Sequence, residues 1–425
     1  MAALRNWQMG GILNLVFDEW DGDVPIPNLN FLNEKLGSEY LLLPDIILKL
    51  QSDGLPIRKC KLTDIKSGDN FYYVIAHRCS LESIYKYNDE NIWEIPVEVE
   101  EYIRNKNLNV ILLSEHESFK GIHNSFKELK DIILKKELNE NQFFIINNNS
   151  LLNDANTFAQ SNINVHKINF LLDSVSCGMN IKLSESDFIE DKKFIFLCHN
   201  RRPKNHRLSI LTHMKNMNLL QDDITDWSLT YGIHKNKLTD INEFQTYINF
   251  SNKKIFKDYK EICSKPKLSF YESDKNWFDT ENNYDAWNHL ELNTYQNSYI
   301  NIITESHFDV PDVHITEKSF KPFYYYQMPL FLASQNHILK MKEEYDLEFF
   351  DDLIDHSYDN ERDDINRLHM VLSEIDRLSK IKDEIKLYYK SNKNKFIKNH
   401  NFIKEFYHRG LVFKYFNNLT NKTLI

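Results

Sequence analysis

Four cations crowd the short segment His199–Arg207 (HNRRPKNHR): Arg201, Arg202, Lys204 and Arg207. They follow an apolar run, Phe194–Cys198, that reads as a buried strand, and they lead into a helical pattern over Asn205–Asn216. Pro203 suits the turn or the first helical position. Cations at a helix N-terminus oppose the helix dipole. A fold tolerates that placement more readily when an anion occupies the site. The plain alternative is an exposed turn with surface cations. The strand immediately before it fixes the location and favours the anion.

Three further clusters carry chemistry. In Thr316-Glu317-Lys318, Thr316 is suited to cap a helix, Glu317 to accept from ribose hydroxyls, and Lys318 to reach a phosphate as a point charge. The plainer role for Glu317 is to complement the helix dipole. Thr304-Glu305-Ser306 ends the apolar run Tyr299–Ile303. There Glu305 and Ser306 are candidates to meet a ligand, and Glu305 is equally suited to anchor the loop. In the first half, Ser114–Gly121 (SEHESFKG) offers Glu115, His116 and Glu117 as general bases for an acceptor hydroxyl, with a polar loop as the plain alternative. The acidic run Phe17–Asp23 (FDEWDGD) lacks calcium-loop spacing and reads as a solvated turn. Its Asp21-Gly22-Asp23 is the only DxD triplet, and no metal site is expected.

The elements that must position these residues alternate. Strands are expected at Ile12–Phe17, Phe71–Ala76, Val110–Ser114, Phe143–Asn147 and Asn169–Leu172, with an amphipathic helix over Asn124–Lys136. Strand, helix, strand at this spacing favours a parallel α/β layer. The polar run Leu183–Lys193 (LSESDFIEDKK) reads as an interdomain linker. A second α/β series follows: strands Phe194–Cys198, Ser228–Tyr231, Tyr299–Ile303 and Leu330–Ala333, with helices Asn205–Asn216 and Thr316–Tyr326. Leu238–Ser298 is polar and aromatic, an insertion of loops and short helices. From Asp363 onward the pattern is helical, and Arg362 and Arg367 read as decoration of a helix rather than as cleft residues. In open α/β sheets, ligands bind at the carboxyl ends of strands, so the cation cluster and the Glu-Lys pair are expected to converge on one pyrophosphate-sized pocket.

Composition bounds the rest. At 425 residues two or three domains are expected. The net charge of −10 argues against a surface built mainly for a polyanion, while leaving room for a local basic groove. Only 10 glycines occur, which disfavours the Gly-rich loops of Walker A and kinase sites. Five scattered cysteines without CxxC spacing fit neither a disulfide framework nor a zinc knuckle. No apolar stretch approaches a membrane span of about 20 residues, and the N-terminus lacks signal-peptide features. A cytoplasmic protein is expected.

The array of strand, TES, loop and HITEKSFKPFYYYQMPLFLAS resembles the donor-binding segment of the α-1,3-fucosyltransferase-like glycosyltransferases. FLCHNRRPKNHR is similar to the preceding strand-turn-helix of related viral and bacterial glycosyltransferases. The resemblance spans roughly Phe194–Ile375. It implies an α/β fold of two Rossmann-like domains facing across a cleft, the GT-B arrangement, with C-terminal helices. The implied division is 1–185 as the acceptor-side domain, 194–395 as the nucleotide-sugar domain, and 396–425 as a helical tail packing back on the first. By position Glu317 would bind ribose, Lys318 a phosphate, and Arg201, Arg202 or Arg207 the diphosphate, with Glu117 preferred as base. No cofactor is implied beyond the nucleoside diphosphate sugar itself as donor. The partners are that donor and a hydroxyl acceptor, a glycan or small molecule. The alternatives are a viral enzyme acting on a hydroxymethylated DNA base, where nucleic acid enters only as acceptor, and a non-catalytic nucleotide- or glycan-binding protein on the same scaffold.

Overall fold

The computed structural model describes residues 12–17, 19–21, 24–26, 55–66, 70–77, 86–87, 90–91, 93, 95–106, 108–114, 122–147, 162–167, 183–200, 204–229, 253–264, 295–305, 308–310, 313 and 315–406. The chain divides into two units, Met1–Phe170 with Arg409–Ile425, and Leu171–His408.

The first unit holds a six-stranded parallel sheet: β1 (Leu13–Val16), β2 (Ile57–Cys60), β3 (Phe71–His77), β4 (Leu108–Ser114), β5 (Phe143–Asn147) and β6 (Asn164–Lys167). Their spatial order is β6-β5-β4-β3-β1-β2, a doubly wound order with its reversal between β1 and β3. Helices α1 (Val97–Lys106) and α2 (Ile122–Lys135) accompany it. Leu129 and Ile133 of α2 bury the apolar face that its sequence period implies. Glu100 of α1 is buried between Arg104 Nη2 and Lys136 Nζ, at 2.8 and 2.9 Å. The acidic run near the N-terminus contributes Glu19–Asp21, paired antiparallel with Val24–Ile26, rather than a simple turn. The strand expected at Asn169–Leu172 lies outside the described residues.

The second unit carries four parallel strands: β7 (Phe194–Asn200), β8 (Thr225–Leu229), β9 (Ser298–Thr304) and β10 (Met328–Leu332). Their order is β8-β7-β9-β10, so the winding reverses between β7 and β9. Every residue of β9 and β10 is buried, as expected for strands covered on both faces. Helices α3 (Asn205–Asn216), α4 (Lys253–Ser264), α5 (Glu317–Tyr324), α6 (His337–Glu344), α7 (Asp364–Lys380), α8 (Lys382–Ser391) and α9 (Lys393–Phe406) complete the unit.

Two boundary expectations need correction. Leu183–Lys193 is no solvated linker. Leu183 and Lys192 are buried in the second unit. Lys192 Nζ donates to Ser298 O at 3.1 Å and Tyr326 O at 2.8 Å, and it lies over the Tyr389 ring at 4.7 Å. Burial pulls its amine well below the ordinary lysine range. Nor does the tail start at 396: Phe396, Phe402 and Ile403 of α9 belong to the second unit's core, while Arg409–Ile425 falls with the first unit.

Glycine scarcity shows in how helices stop. Three helices end on a left-handed residue that is not glycine: Glu137 after α2, Asn218 after α3 and Tyr326 after α5. Each is followed by a main-chain bond back onto the last turn, Leu138 N to Ile133 O, Leu219 N to Met214 O and Gln327 N to Pro322 O, the Schellman pattern. Tyr326 is held in that conformation by stacking on His400 (4.6 Å between centroids) and by donating its hydroxyl to Ser184 O.

Candidate functional site

The reversal between β7 and β9 places the end of β7 beside the end of β9, with the first turns of α3 and α5 at the same carboxyl edge. A ligand site in a doubly wound sheet belongs at such a place. Thr304 Oγ1 donates to Asn200 Oδ1 at 2.5 Å and ties the two strand ends together.

Thr316 is the N-cap of α5, and its Oγ1 accepts from the Lys318 amide at 3.3 Å. The same hydroxyl lies 2.9 and 2.7 Å from the two carboxylate oxygens of Glu305. Ser319, one turn on, donates to Glu305 Oε1 at 2.5 Å. Glu305 is only 1% exposed. Burial by itself raises its carboxyl; the Lys318 charge, with His337 and the Ser319 and Thr316 hydroxyls, outweighs burial and holds it below the usual carboxylate range. The anchoring role is the one this geometry supports.

Lys318 occupies the exposed side of this cluster. Its Nζ rests on Thr316 Oγ1 at 3.1 Å and stands 3.9 Å from Glu305 Oε2, with the side chain 32% exposed. A buried carboxylate therefore pins a cation that reaches solvent at the first turn of a helix, where backbone N–H groups already favour an anion.

The cation cluster divides. Arg201 and Arg202 lie outside the described residues, as do Ser306, Glu115, His116 and Glu117. Glu317 opens α5, and its side chain is not described. Lys204 is the half-buried N-cap of α3. Arg207, expected to bind diphosphate, is buried, and its Nη2 donates to the carbonyls of Thr304 and Glu305 at 3.2 and 3.4 Å. It orders the end of β9 from within rather than meeting a ligand from solvent. His206, not singled out from sequence, does the same through Nε2, 3.0 Å from Glu305 O. Burial, with the charges of Arg207 and Lys204, pulls that imidazole well below its usual range.

Two more residues escaped the sequence reading. Arg367 on α7 is not surface decoration: it is 2% exposed. It donates to Ala333 O (3.0 Å), Glu361 O (2.7 Å) and Phe308 O (2.7 Å), pairs with Asp364, and stacks on the Phe308 ring. It thus fastens the chain just after β10 to the chain beyond β9. His337, the first residue of α6, is fully buried with Nε2 2.9 Å from Ser319 Oγ. The one sequence signal for it was position, since it follows closely on a Pro-led strand end.

Among the described residues no three His, Cys, Asp or Glu side chains come together as a metal cluster, and no helix is long and apolar enough to cross a membrane. Compared with protein-family models, curated proteins and solved structures, the chain matches none.

Proposed function

We propose that this chain is a glycosyltransferase whose second unit binds a nucleoside diphosphate sugar at the carboxyl edge of its sheet. The observation that carries the reading is the Lys318 ammonium, pinned through Thr316 by buried Glu305 at the switch point of a parallel sheet. A cation fixed in advance stabilises charge that develops on a departing diphosphate, because no reorganisation is needed as the bond breaks. Arg201 and Arg202, placed by the sequence in the turn after β7, add to that charge. Glu317 takes the ribose hydroxyls. In the GT-B-type division of labour the first unit receives the acceptor, and Glu117, with Glu115 and His116 as the other candidates, takes the hydroxyl proton.

The test screens UDP, GDP, CDP and ADP sugars by thermal shift, since a ligand of the folded state raises apparent stability. Nucleoside diphosphate release is then measured with hydroxyl acceptors. One sugar nucleotide is expected to stabilise the protein, and Lys318→Ala to cut turnover by about 2–4 kcal/mol of transition-state stabilisation. Unchanged turnover in that variant, or no binding of any sugar nucleotide, overturns the reading. Binding without transfer leaves the non-catalytic alternative.

A further inference from the structure

Behind Lys318 runs a chain of buried hydrogen bonds that the proposed reaction does not itself require. Ser319 Oγ lies between two partners, Glu305 Oε1 at 2.5 Å and His337 Nε2 at 2.9 Å. A serine hydroxyl has one proton. Glu305 is ionised and only accepts, so Ser319 gives its proton to Glu305, and His337 must donate to Ser319 from Nε2. The other tautomer would set two lone pairs against each other. His337 Nδ1 has no hydrogen-bond partner among the described residues. The chain is therefore directional: His337 to Ser319 to Glu305, with Thr316 donating to Glu305 from the other side and the Lys318 ammonium donating to Thr316.

We propose that His337 is a positioning residue for the Lys318 anion site, and that its protonation strengthens anion binding there by adding a second positive charge behind Glu305. The inference rests on the transferase reading for the identity of the anion, a sugar-linked diphosphate. The charged groups facing His337 are Glu305 beyond β9, Asp359 in the turn before α7, and Glu344 on its own helix. The Phe331 ring of β10 covers it at 5.3 Å. Burial holds the imidazole below its ordinary range, and those three carboxylates oppose burial only in part. His337 is therefore neutral near pH 7 and takes up a proton only below the ordinary histidine range. Linkage is reciprocal, so anion binding also favours proton uptake by His337.

The closing experiment has two readouts on the full chain. The first is 15N NMR of histidine-labelled protein, with His337 assigned by its loss in His337→Gln; the neutral Nε2–H tautomer is expected. The second is affinity for the stabilising sugar nucleotide between about pH 7.5 and 5.5, a range in which its diphosphate diester keeps a constant charge. Wild type should tighten by about fivefold or more as pH falls. His337→Gln keeps an N–H donor without a titrating ring and should lose that pH-dependent gain while still binding at pH 7.5. His337→Asn, which likewise removes the titrating ring, should lose it too and serves if His337→Gln folds poorly. His206 titrates in both backgrounds and cancels in the comparison. An Nδ1–H tautomer, or one shared pH profile for wild type and both variants, overturns the proposal and leaves the transferase reading intact. Failure of every sugar nucleotide to bind at any pH removes the transferase reading and the pH coupling together.

Discussion

The Thr316 hydroxyl spans both carboxylate oxygens of Glu305, at 2.9 and 2.7 Å, while accepting from the amide and the ammonium of Lys318 at 3.3 and 3.1 Å. One oxygen atom thus caps a helix, partners a buried carboxylate and seats a solvent-reaching cation. Thr316→Ala removes all three functions. The cap is worth about 1 kcal/mol, and a buried acceptor losing its donor costs about 1–3 kcal/mol more. Urea unfolding should show a loss of about 2–4 kcal/mol, with Thr316→Ser restoring most of it. Equal losses in both variants would show that the methyl group, not the hydroxyl, matters.

Acid should destabilise the second unit in two steps. His206 and His337 are held below the ordinary histidine value of 6.5, chiefly by burial. The unfolded chain takes up their protons first, so stability starts to fall as pH drops below about 6.5. Glu305 is held below its ordinary 4.5. Its contribution is complete above that value and is lost as pH falls through the lower folded one. The urea midpoint of wild type should therefore decline more steeply than that of Glu305→Gln between about pH 5 and 3. Parallel slopes for the two proteins would refute the assignment.

Arg367 fastens three carbonyls from separate segments, at Phe308, Ala333 and Glu361. Arg367→Met removes that donor from all three, while Asp364, 39% exposed, turns to water. Losing the donor to a buried carbonyl costs about 1–3 kcal/mol. Arg367→Lys should rescue little, because an ammonium does not reproduce the planar fork. The check is the denaturant midpoint at constant slope. Retention of wild-type stability in either variant would contradict the clamp.

Lys192 should behave in the opposite way to Arg367. Its amine is buried, and burial alone drives it well below 10.5. The unfolded chain binds the proton more readily, so wild-type stability should rise with pH toward the ordinary lysine range. Lys192→Met should abolish that rise, and at neutral pH it should cost little or even stabilise. A loss above about 3 kcal/mol at pH 7 would instead show that the two carbonyl contacts dominate.

The parallel α/β character was legible in the sequence because largely buried strands such as β7 and β9 are short apolar runs with abrupt polar ends. α3 was legible to the residue. β2 was missed because an edge strand written IRKC buries only Cys60, so no apolar run announces it. α1 (VEVEEYIRNK) alternates like a strand at its start, and only burial of Val99 and Ile103 four apart reveals the helix. The helix-start half of the site, Thr316 and Lys318, was readable from capping chemistry. The partners behind it were not. Ser319 meets Glu305 across 14 residues, His337 meets Ser319 across 18, and Arg367 meets Phe308 across 59. No local pattern encodes such partners. Arg207 misled for the same reason: a cation in a basic turn looks like a ligand group until the carbonyls it serves are known.

The tyrosine that ends α5 in place of glycine has a consequence for how the chain is made. Its unusual backbone shape is secured by His400, 74 positions downstream, so the final turn of the helix bearing Lys318 is completed late in vectorial synthesis. A ribosome-stalled fragment stopping before α9 would expose the segment without its finished C-terminus. Such an intermediate lacks the contact that completes the helix end, and the apolar surface it exposes is of the kind that chaperones bind.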